Sequence, residues 1–110
     1  MPNCIIHPEF VAREVRSSQN TLLQRNLAFQ ALLDITTLLE EDPDVILIER
    51  GEDPASAADY YRPGEKVILY GAYRDGCLET ARRALTAQGV EVEYHPTGSI
   101  PIFIKPEKND

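Results

Sequence analysis

The chain has no tryptophan, one methionine and only two cysteines, Cys4 and Cys77, far apart in sequence. This excludes a disulfide framework and a zinc site built on paired cysteines. Positive charge is also scarce: 11 Lys and Arg stand against 18 Asp and Glu, for a net charge of −7. Binding to a nucleic-acid backbone or an anionic membrane surface needs basic side chains, so neither partner is expected. No run approaches the ~20 apolar residues of a membrane span. Residues 1–8 show no basic stretch leading into an apolar core, so no signal peptide is expected. No metal-ligand set and no cofactor fingerprint is present, so neither a metal nor a cofactor is expected. The expected setting is soluble and cytoplasmic, with the acidic balance serving solubility or a basic partner.

What is present is the pattern of a small α/β protein. With 110 residues, 43% of them hydrophobic, the chain suits one domain over 1–110 with one core. The polar tail 105–110 reads as frayed. Cys4-Ile5-Ile6 reads as a very short strand, and Pro8 opens a short helix over Glu9 to Ser17. Val45 to Ile48 and Val67 to Tyr70 are continuous apolar runs of the kind found in strands buried on both faces, and both are expected at the sheet centre. Asp53 caps a short helix over 54–61. A helix runs from Leu78 to Gln88 and stops at Gly89. Val90 to Tyr94 alternates as a half-exposed strand. Pro96-Thr97-Gly98 reads as a turn, and Ile100 to Ile104 as a last strand, paired antiparallel with the one before. The expected fold is therefore a single-domain α/β sandwich with a mixed, mostly parallel sheet of four to five strands and helices on its faces.

Thr21 to Glu41 is the strongest helical signal, free of Gly and Pro and ended by Pro43. Its apolar residues, among them Leu32 and Leu39, cover more than half the circumference. A helix packed on one side needs a stripe of only about 100°. The surplus fits either a helix wrapped on several sides or a second packing surface for a symmetry mate.

Candidate chemistry collects in three loops after strands: 49–53, 71–77 and 95–98. Ligands of open parallel sheets bind beyond the strands' carboxyl ends. Cys77 at a helix start is a candidate nucleophile, since free N–H groups there favour thiolate. Arg74 would give it electrostatic support and His95 would serve as base. The competing reading packs Cys77 like an alanine and makes His95 a loop residue. Tyr61 and Tyr73 with Arg74 form a candidate binding surface, because tyrosine suits places where the ring is covered and the hydroxyl wet. The acidic run Glu40, Glu41, Asp42 and Asp44 reads as a solvated turn.

Two partial resemblances touch the segment from Lys66 to Ile100. Its strand, Gly-containing loop and helix look like the last third of a rhodanese domain, whose catalytic Cys position falls on Gly71 here. Cys77-Leu78-Glu79-Thr80 is similar to the Cys-x-x-Ser/Thr of monothiol glutaredoxins, and Ile100-Pro101 to that family's cis-proline. The glutaredoxin resemblance implies thiol chemistry at Cys77, whereas in the rhodanese resemblance Cys77 comes several residues after the catalytic position, and neither supplies a complete motif. The leading expectation is a non-enzymatic interaction module, a homodimer or the binder of a protein partner, using Tyr61, Tyr73, Arg74, Leu32 and Leu39. The alternative is a thiol-dependent sulfur-transfer or redox enzyme using Cys77, Arg74 and His95.

Overall fold

A computed structural model describes residues 2–104. Four strands, β1 (Asn3–Ile6), β2 (Ile46–Ile48), β3 (Lys66–Ala72) and β4 (Glu91–Ile100), form one sheet in the order β2-β1-β3-β4. All three pairings are parallel. Helices α1 (Pro8–Arg16) and α2 (Leu22–Glu41) cover one face. A 3₁₀ helix (Pro54–Tyr60) and α3 (Cys77–Ala87) cover the other. The single α/β sandwich with its long helix is as expected. The tail 105–110 lies outside the described residues.

Two expectations about the sheet need correction. It is all parallel, not mixed: the antiparallel hairpin does not form, because β4 continues straight through its own interruption. Leu69 pairs with Tyr94 and Gly71 with Ser99, so β4 spends five residues where β3 spends two. The segment 95–98, four residues opposite the single Tyr70, bulges out over α2, and the strand then rejoins β3 in the same direction. Residues 101–104 are not strand. The centre is also different. β1, not β2, lies beside β3, and Cys4, Ile5 and Ile6 are fully buried. β2 is an edge strand with only Ile48 buried.

The strands alternate as period-2 geometry requires. Cys4, Ile6, Ile48, Val67 and Leu69 face Ala57, Tyr61, Leu78, Ala81 and Leu85. Ile5, Tyr70 and Ala72 face Val11, Ala28, Ala31, Ile35 and Leu38. Small residues at 28 and 31 let α2 approach the sheet closely. Its start is a full capping box: the Thr21 hydroxyl accepts from the Gln24 N–H, and the Gln24 side chain accepts from the Thr21 N–H. Glycine is required at 71, where φ is +115° and a Cβ would run into the Ile6 carbonyl of the neighbouring strand.

Candidate functional site

The chain leaves β1 toward β2 over one face and returns to β3 over the other. The crevice between the carboxyl ends of β1 and β3 is therefore the switch point, where open α/β sheets bind ligands. Here the protein's own side chains occupy it. His7, with left-handed backbone (φ 49°), is buried at the end of β1, and its Nε2 lies 3.0 Å from the Glu52 carbonyl. That carbonyl only accepts, so Nε2 carries the proton. Phe10 meets the His7 ring edge-on at 5.3 Å and stacks on Tyr73 at 5.9 Å. The Arg13 guanidinium sits 4.7 Å above Phe10. The Tyr73 hydroxyl donates to Glu14 at 2.8 Å and accepts from Arg13 at 3.1 Å. Glu14 is buried and also accepts from Asn20 at 2.6 Å, so its carboxylate is satisfied. This network fastens the α1–α2 corner to the exit of β3.

The thiol set is distributed over both sides of the sheet. Cys77 opens α3 and packs against the core of the α3 side. Burial pushes its thiol up from the ordinary value, against the lowering expected of a helix start. His95 stacks on Tyr70 on the α2 side, with ring centroids 4.4 Å apart. Its Nδ1 accepts from the Gly98 N–H at 2.8 Å, which leaves the proton of the neutral ring on Nε2. Arg74 is turned into the β4 bulge, donating to the Ser99 hydroxyl and carbonyl and to the Pro96 carbonyl at 2.7–3.0 Å. The structure brings Arg74 and His95 to the same bulge and leaves Cys77 apart from them. Cys4 is fully buried, and desolvation holds its thiol up at about 12.

The tyrosine surface is likewise divided. Tyr61 is core on the α3 side, its hydroxyl donating to the Asn3 carbonyl at 3.3 Å, whereas Tyr73 belongs to the α1 network. Of the two leucines singled out on the long helix, Leu32 is half-buried against the α1–α2 layer. Leu39 is exposed. The acidic run is partly structural: Asp42 accepts from the Asn3 side chain and from the Asp44 N–H.

Sequence reasoning did not single out the outward stripe of α2. Leu22, Phe29 and Leu33 are 68%, 43% and 49% exposed. At 100° per residue they fall within an arc of about 40°, opposite Ala28, Ala31, Ile35 and Leu38. The signal was available as spacing: Leu22, Asn26, Phe29, Leu33, Thr36 and Glu40 follow steps of 4, 3, 4, 3 and 4, the rhythm of a helix-pairing seam.

Compared with protein-family models, with curated proteins and with solved structures, the chain matches none. Among the described residues no helix is long and apolar enough to cross a membrane, and no group of three metal-ligating side chains occurs.

Proposed function

We propose that the protein is a small acidic interaction module that pairs with a second copy of itself through the outward face of α2. The observation that carries this reading is the stripe of Leu22, Phe29 and Leu33 on the side of the helix turned away from its own core. Contiguous apolar surface of this kind marks interfaces.

Charge favours an antiparallel partner. The only cation of α2 is Arg25, near its start; Glu40 and Glu41 stand at its end. Those carboxylates oppose the helix dipole of their own chain. In an antiparallel pair each end gains: Arg25 lies near the acidic end of the second copy, and Phe29 falls opposite Leu33 of that copy. The net charge of −7 on each chain opposes association, but beyond a Debye length of about 8 Å it is screened at physiological salt. Six half-exposed side chains, three from each copy, contribute roughly 5–9 kcal/mol of burial. Association costs about 4–15 kcal/mol in lost freedom. The seam therefore supports a weak, reversible dimer.

Sedimentation equilibrium tests this. The mass is expected to rise from the 12.4 kDa of one chain toward twice that value with concentration. Phe29→Asp with Leu33→Asp is expected to remain monomeric with an unchanged circular dichroism spectrum, since neither side chain is part of the core. A wild-type chain that stays monomeric at millimolar concentration contradicts the reading.

A further inference from the structure

His7 closes the end of β1 under three constraints. Its backbone is left-handed, with φ 49° and ψ 58°. A residue with a side chain keeps that conformation only where its surroundings hold it. Its two N–H groups tie β1 to the chain after β2: the backbone donates to the Ile48 carbonyl at 2.8 Å and Nε2 to the Glu52 carbonyl at 3.0 Å. The third constraint is a polar atom with nothing to bond. Nδ1 of His7 is the one buried side-chain nitrogen or oxygen without a hydrogen-bond partner among the described residues.

The neutral ring suits this place and the charged ring does not. A neutral ring leaves only a lone pair unmet. An imidazolium would present a charged N–H at Nδ1 with no acceptor, which costs more than a neutral unpaired group. That charge would stand at the start of α1, the positive end of its dipole. The charged groups around it do not offset this. On α1, Glu9 is exposed and accepts from the Arg50 N–H at 3.1 Å. Arg13, over the Phe10 ring that meets His7 edge-on, adds a second positive charge. In the turn after β2, Glu49, Arg50 and Glu52 are exposed and screened by water, and the Glu52 carboxylate accepts from the Glu49 N–H at 2.9 Å. At the exit of β3, the Tyr73 hydroxyl is already engaged by Glu14 and Arg13.

We propose that His7 is a pH-sensitive latch on the crevice between β1 and β3. Neutral, it holds the crevice shut. On taking a proton from solvent at Nδ1, the ring leaves for water, where the new N–H is hydrated. The bond to the Glu52 carbonyl and the contact with Phe10 are given up, and the backbone leaves its left-handed conformation. The open form binds the proton more readily than the closed form. Closure is therefore favoured above the ordinary histidine range, about pH 6.5, and weakens as pH falls below it. The latch lies at the strand ends and not on the outward stripe of α2, so it stands or falls apart from dimerisation.

The test is amide hydrogen exchange of the full chain from about pH 8 to pH 5, corrected for the intrinsic rate, with imidazole ¹⁵N shifts recorded alongside. Protection of the His7 and Arg50 amides should fall by up to about tenfold per pH unit below the histidine range, the effect of one proton. The loss should follow the titration of the His7 ring and not that of His95, and Leu85 in α3 should keep its protection. His7→Asn is the control. Asparagine tolerates the left-handed backbone and carries an N–H donor but does not titrate, so its protection should be independent of pH over this range. Protection that stays constant in the wild type down to pH 5, whether or not the His7 ring takes up a proton, overturns the proposal. So does a loss that follows His95, or an equal loss in His7→Asn.

Discussion

A side chain at residue 71 would collide with the Ile6 carbonyl across the β1–β3 ladder and would also have to adopt φ +115°. Gly71→Ala is expected to cost about 3 kcal/mol, from a strained backbone and a central-strand clash together; urea denaturation measures it. Glu79 behaves differently because it is partly exposed. Arg82 and Arg83 donate to it, as does the Tyr94 hydroxyl, and these bonds hold its carboxyl at about 2 against the ordinary 4.5. The folded pKa is depressed, so the unfolded chain binds the proton more readily. This stabilisation is present above pH 4.5 and is lost as pH falls toward 2. The acid limb of the stability profile should be shallower in Glu79→Gln. The thiols give a third residue-scale expectation. Iodoacetamide should leave Cys4 unmodified in the folded protein and should alkylate Cys77 no faster than an ordinary thiol at neutral pH. Fast alkylation of Cys77 at pH 6 would restore the thiol-enzyme reading.

At the scale of elements, α2 was the most legible part of the chain. Its length and the proline that ends it are local features, and both act as the sequence suggests; the structure adds Thr21 as its cap. Removing the cap should show this: Thr21→Ala is expected to cost about 1 kcal/mol, read from thermal or urea unfolding. β4 was the least legible element. Pro96, Gly98 and Pro101 carry the marks of a turn between two strands, and locally they are one. What makes them a bulge is the register with β3, which a long-range partner decides. The order of strands was hidden for a similar reason. β1 is only four residues long and β2 is more continuously apolar around its core, yet the crossovers place β1 at the centre.

At the scale of the whole molecule, the candidate site was half legible. The excess of apolar surface on α2 could be counted in the sequence. Which part of it faces outward could not, because that depends on how α1 and the sheet divide the helix between them. Leu32, chosen from composition, turned out to be half-buried, whereas Phe29 and Leu33 point away from the core. The network of Arg13, Glu14, Asn20 and Tyr73 left no trace in sequence spacing, since about sixty residues separate its two halves. It fills the switch point of the sheet with the protein's own side chains, while the stripe on the outer face of α2 stays exposed. The central claim is that two copies pair through the outer stripe of α2. The most direct test is an isotope-filtered NOE experiment on a mixture of labelled and unlabelled protein. Contacts between the Phe29 ring of one copy and the Leu33 methyl groups of the other are predicted. A dimer whose intermolecular contacts arise from the β2 edge or from α3, with none at Phe29 or Leu33, would contradict the account.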